Sequence, residues 1–123
     1  MDKKFRNLRN ENVDWDVVND FGTEWEEFRF ESYDLDILRK TWNQYFDIFP
    51  WDDISENAEG FDMGCGSGRW AQFVIPRVGR LNCIDPSSAI HVAKSNLKKY
   101  DNAFFFKETV ATCSLENGSQ DFG

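Results

Sequence analysis

Five residues constrain this chain more than any others: Gly64-Cys65-Gly66-Ser67-Gly68, with glycine at alternate positions. Glycine is costly inside a helix or strand, because ordering it removes more backbone freedom than for any other residue. The cluster follows a short half-apolar run, Gly60-Phe61-Asp62-Met63. It leads into Arg69-Trp70-Ala71-Gln72-Phe73-Val74-Ile75, whose apolar spacing suits a helix packed on a sheet. A strand that meets glycines and then a helix brings backbone close to a ligand. No Cβ obstructs it, and amides at the helix start favour negatively polarised ligand atoms.

The pattern continues in the same grammar. Pro76 should end or kink the helix, and Gly79 closes the turn. Arg80-Leu81-Asn82-Cys83-Ile84 reads as a second strand, ending at Asp85-Pro86. Ser87 or Ser88 caps a second helix, with Ile90, Ala93, Leu97 and Tyr100 on its apolar stripe. Asp101-Asn102 is a turn, and Ala103-Phe104-Phe105-Phe106 reads as a third strand buried on both faces. Glu116–Gln120 is a turn, and Asp121-Phe122-Gly123 opens a fourth strand. Strands alternating with helices predict a parallel sheet in an α/β domain.

Asp85 lies twenty-one residues after Gly64, at the end of the second strand. A carboxylate there can accept from both hydroxyls of a ribose held against the glycine loop. The pair therefore points to a nucleoside-containing cofactor. The nicotinamide fingerprint G-x-G-x-x-G fails in this loop, because Arg69 stands three after Gly66. Asp62 at the loop's approach is unwelcome beside a pyrophosphate but suits a positive centre. S-adenosylmethionine carries a sulfonium and an ammonium and no phosphate, so the charge logic favours it.

Phe61-Asp62-Met63-Gly64-Cys65-Gly66-Ser67-Gly68-Arg69-Trp70 resembles motif I of class I S-adenosylmethionine-dependent methyltransferases. Cys83-Ile84-Asp85-Pro86-Ser87 resembles their second motif, and Leu115–Phe122 the approach to their fourth strand. The resemblance implies an incomplete Rossmann-like methyltransferase domain over 60–123, with the first three parallel strands and their helices. It implies a truncated chain, whose first strand lacks a neighbour and offers an edge for self-association. The implied cofactor-binding set is Asp62, Gly64, Cys65, Gly66, Gly68, Asp85, Pro86, Thr109 and Val110. Gly64 and Gly66 meet the methionine part, Asp62 orients the loop, and Gly68 allows close helix packing. Asp85 grips the ribose and Pro86 borders the adenine. Thr109 stands where the family often has an acid for the adenine amino group, and Glu108 replaces it only with a one-residue slip. The acceptor is an unidentified small molecule or glycan precursor by family analogy alone. No catalytic base is evident. The alternatives are a nicotinamide-dependent oxidoreductase fragment and a non-catalytic interaction fragment.

Residues 1–59 read as a helical, aromatic-rich segment or lid. Residues 36–49 form a helix with Ile37, Leu38, Trp42, Tyr45, Phe46 and Phe49 on one face, capped by Asp34 or Asp36 and stopped by Pro50. Residues 1–35 are irregular, apart from a short helix opening near Gly22 with Thr23 as N-cap. Phe21, Trp25 and Phe28 are the lid candidates.

Charge narrows the partners. Fourteen basic against twenty-two acidic residues give a net charge of -8, concentrated in the first sixty residues. Such a field repels nucleic acid and anionic lipid. No apolar run approaches membrane-spanning length, and no signal peptide is visible. Cys65, Cys83 and Cys113 suggest neither a disulfide framework nor zinc, and free thiols suit a reducing cytoplasm. Cys65 sits where a helix start would lower a thiol pKa. His91, the one histidine, falls off its helix stripe and reads as exposed.

Overall fold

The computed structural model describes residues 14–26 and 34–123, without the side chains of Phe21 and residues 23–26. Strands β1 (Glu59–Met63), β2 (Arg80–Ile84) and β3 (Ala103–Phe106) form one parallel sheet in that order. The helices are α1 (Trp15–Glu26), α2 (Leu35–Phe46), α3 (Ala71–Val74) and α4 (Ala89–Asn96). The fold is α/β with a three-strand parallel sheet, compatible with a partial Rossmann-like fold.

The register pairs Gly60 with Leu81 and Asp62 with Cys83, then Leu81 with Ala103 and Cys83 with Phe105. Strand alternation puts these residues on one face. Ala71 and Ile75 from the first crossover, and Ile90, Ala93 and Leu97 from the second, bury against Leu81 and Cys83. Each fully buried aliphatic side chain such as Ile75 or Leu97 contributes about 1.5–3 kcal/mol. The expected α4 stripe thus forms the core.

α3 is only four residues long, not a run from Arg69. Gly68 enters at φ +82°, and Pro76 stands in a 3-10 turn over Ile75–Arg77. About one turn remains between these two breakers. Asn102 Nδ2 then donates to the carbonyls of Ile75 and Val78, at 3.0 Å each, and satisfies that end.

β3 differs from its expected burial: Phe104 is 37% exposed, on the face away from the helices. The Arg80 guanidinium lies 3.6 Å from its ring centroid. On the same face, Arg80 Nε meets Glu59 Oε1 at 2.9 Å, and Asn82 Nδ2 donates to Gln120 Oε1 at 3.0 Å. Gln120 Nε2 donates to Glu59 Oε2 at 2.9 Å, which pins the last segment to the sheet. Phe122 then makes a single parallel bridge to Gly60. Its carbonyl accepts from Phe61 N–H at 3.1 Å, and its ring lies directly on Gly60, where a Cβ would collide. The expected fourth strand is thus one bridge long and sits beside β1.

The reading of residues 1–35 as irregular is corrected over α1. Asp14 Oδ1 accepts from the amides of Asp16 (3.0 Å) and Val17 (3.3 Å), so the helix starts at Trp15, well before Gly22, which lies in its interior with Thr23. Phe28 and the side chains of Phe21 and Trp25 lie outside what is described. α2 starts as expected: Asp34 Oδ1 takes the amides of Asp36 and Ile37. It ends at Phe46, before Pro50. Its stripe is only half covered. Leu38 and Trp42 pack on Phe73, whereas Ile37 and Tyr45 stay 64% and 68% exposed.

Candidate functional site

The carboxyl ends of β1 and β2 meet at the glycine loop. The amides of Gly64 and Cys65 both donate to Ile84 O, at 2.7 and 3.1 Å, so the loop continues the β1–β2 ladder around the corner. Gly64, Gly66 and Gly68 have φ of +77°, +55° and +82°, which side-chain-bearing residues adopt at a cost. A Cβ on Gly64 would point into open space, so its backbone is approachable. A Cβ on Gly68 would stand 2.6 Å from Leu97 Cδ1, because α4 packs there. Asn96 Nδ2, at the end of α4, donates to Ser67 O at 3.1 Å. The Ser67 hydroxyl is fully buried with no partner among the described residues.

Asp85 is the loop's other anchor. It is 8% exposed, and its Oδ2 accepts from Gly66 N–H at 3.0 Å. Its Oδ1 accepts from Ser87 N–H at 2.8 Å and Ser87 Oγ at 2.6 Å. The sequence Asp-Pro-Ser dictates this turn, in which an aspartate bonds the amide two residues on. Ser87 Oγ in turn accepts from Ala89 N–H at 3.2 Å, so Ser87 rather than Ser88 supplies the side-chain cap of α4. A carboxylate offers about four acceptor positions. Three are taken, and one remains for a ligand.

A cavity of about 350 Å³ opens over these residues. Gly64, Cys65, Gly66, Asp85 and Pro86 line it, so five of the nine residues singled out from sequence meet there. Sequence reasoning missed much of the remaining wall. Val17 and Val18 of α1 close one side, and Gly22 lets α1 approach the start of α4: a Cβ there would stand 2.8 Å from Ser88 Oγ. Arg69 and Trp70 supply another side, with the guanidinium 4.4 Å from the indole centroid. Trp70 is half-buried and walls the cavity. Asp14 three residues before Val17 was the available signal for α1.

Asp62 behaves differently. The loop amides that it was expected to orient bond to Ile84 and Asp85 instead. Asp62 lines a second cavity, of about 240 Å³, bounded by Phe46, Trp51, Phe61, Trp70 and Phe122 among others. Burial, and then the negative charge of Asp85, push its pKa up to about 6. Trp70 borders both cavities.

Cys65 corrects an expectation. Its thiol pKa goes up, not down, because of a hydrogen bond with Cys83, then burial and the charges of Asp62 and Asp85. A four-residue α3 has too few aligned peptides to oppose this. Burial and these neighbours therefore favour the protonated thiol of Cys65.

Thr109 and Val110 are not brought to the first cavity. Thr109 is buried in its own turn, its Oγ1 accepting from Thr112 N–H at 3.1 Å, while Val110 is 75% exposed. Glu108 is engaged as well: its Oε2 accepts from Ser114 N–H at 2.8 Å. No residue of β3, nor Glu108, lines the first cavity. His91 is exposed, as expected.

Among the described residues, no group of three or more His, Cys, Asp or Glu is placed to hold a metal, and no helix is long and apolar enough to cross a membrane. The sequence matches no protein-family model, and no curated protein matches it.

Proposed function

We infer that this chain is a cofactor-binding portion of an S-adenosylmethionine-dependent methyltransferase. One observation carries the reading: the glycine loop and Asp85 share a single 350 Å³ cavity at the carboxyl ends of adjacent parallel strands. Such crevices are where open α/β sheets bind nucleosides, and the volume lies in the usual range of about 300–1,000 Å³. The residues fit the cofactor. The Gly64 backbone is open to an approaching group, and Asp85 keeps one acceptor position for a ribose hydroxyl. A two-hydroxyl grip requires one of its present bonds to yield. Pro86 and the Val17–Val18 pair give apolar surface for a base, and Arg69 suits a carboxylate. When bound, the cofactor supplies an already activated methyl group, so the protein's task is alignment. The acceptor is a small molecule of unassigned class.

Arg69 also suits a phosphate, which is the one observation on the side of a nicotinamide cofactor. Calorimetric titration with S-adenosylhomocysteine and, separately, with NAD discriminates the two. We expect saturable binding of the first, no binding of the second, and loss of binding in Asp85→Ala. Binding of NAD alone would overturn the reading, as would no binding of either to the folded chain.

A further inference from the structure

The second cavity has walls of one kind and a floor of another. Phe46, Trp51, Phe61, Trp70 and Phe122 present rings, and Asp62 is the one side chain there that carries a charge. The rings are fixed. Trp51 Nε1 donates to Phe46 O at 3.0 Å, and the Phe46 and Trp70 centroids are 6.2 Å apart at 62°. Among the described residues, Asp62 has no hydrogen-bond or ion-pair partner, whereas Asp85 has three donors. Half-buried in a largely apolar cavity, this carboxylate keeps contact with water but has no protein partner to offset its partial burial. Burial has already raised its pKa, as expected for a charge without compensation.

Aromatic faces carry negative quadrupole and attract cations, most strongly when the cation is shielded from water. Two of these rings already do so. Arg69 sits 4.4 Å from Trp70 and Arg77 5.1 Å from Trp51, and neither arginine lines this cavity. A neutral apolar ligand would use the rings and leave the carboxylate unpaired. An anion would meet Asp62 directly. A hydrated metal ion would find only one carboxylate side chain among aromatic and aliphatic neighbours. A compact organic cation satisfies both rings and carboxylate.

We propose that the aromatic cavity beside β1 is a binding site for a small organic ammonium ion, held by cation–π contact with Trp51 and Trp70 and by charge pairing with Asp62. The site is separate from the glycine-loop cavity. It does not depend on the cofactor reading.

The test uses the whole chain and choline chloride as probe, followed by the indole N–H signals of Trp51 and Trp70 in nitrogen-edited NMR. Its neutral isostere, 3,3-dimethylbutan-1-ol, is titrated in parallel at matched ionic strength. Choline should shift both signals saturably, and the isostere should bind at least about tenfold more weakly. Asp62→Asn should weaken choline by at least about tenfold, while His91→Ala leaves it unchanged. S-adenosylhomocysteine should not displace choline. Absence of saturable shifts, equal binding of the isostere, equal binding by Asp62→Asn, or displacement by S-adenosylhomocysteine would each overturn the proposal. The isostere comparison needs no variant, so a folding defect in Asp62→Asn cannot obscure the result.

Discussion

Two aspartates near the carboxyl ends of two neighbouring strands live in opposite circumstances. Asp85 closes β2 with three donors on its carboxylate, two of them from Ser87 immediately downstream and one from the loop after β1. Asp62 sits inside β1, among rings, with burial and a like charge acting on it. The difference arises in the backbone. Asp85 precedes Pro86 and a serine, so the chain turns back and offers amides. Asp62 is held extended by its pairing with β2, and its neighbours' amides go to the ladder. A carboxylate at a turn builds structure from its own segment, and one within a strand depends on what comes to it.

The largest expected effect lies on the Asp85 side. Asp85→Ala leaves the amides of Gly66 and Ser87 and the Ser87 hydroxyl without their acceptor. Hydrogen bonds to a charged group are worth about 1.5–3 kcal/mol each, and they are not additive. We expect a loss of about 3 kcal/mol or more in urea unfolding, with local release of the glycine loop. An unchanged midpoint would mean that the three bonds hold nothing together, and the contrast with Asp62 would collapse.

Asp62 should answer with the opposite sign. Its folded pKa of about 6 lies above its ordinary value of 3.8. The folded chain therefore binds this proton more tightly than the unfolded chain. The group's contribution to stability is fully present below about pH 4 and is lost as pH rises through about 6. The stability difference between pH 4 and pH 7 from this group is on the order of 2 kcal/mol. Asp62→Asn should flatten that part of the pH profile and be more stable than the parent at pH 7. Identical slopes in the two proteins would show that Asp62 is well solvated or paired.

The same contrast explains what the sequence made legible. β2 and β3 were readable to the residue, because short apolar runs bounded by Gly79, Asp85 and Asn102 leave little choice of ends. The loop and Asp85 were readable as partners from their spacing, and they do meet. α1 was not, because Gly22 mimics a boundary; only packing against α4 keeps a glycine inside that helix, at about 1 kcal/mol relative to alanine. The burial of β3 was over-read. Three consecutive phenylalanines suggest two covered faces, but Phe104 is covered in part by a cation rather than by a helix. Nor could sequence tell that Asp62 lines another cavity, since the rings that wall it come from Phe46 to Phe122, far apart along the chain.

The smallest effect sits between the two aspartates. The Ser67 hydroxyl is buried in the glycine loop with no partner among the described residues, although its carbonyl is held by Asn96. An unsatisfied buried hydroxyl costs about 1–3 kcal/mol, offset here only in part by the packing of its Cβ. Ser67→Ala keeps that carbon and removes the orphan oxygen. Stability should stay level or rise by up to about 1 kcal/mol, with S-adenosylhomocysteine affinity unchanged. A fall of more than about 1 kcal/mol would mean that the hydroxyl is satisfied in solution. The loop would then be held at a third point, and Asp85 would no longer be its principal anchor.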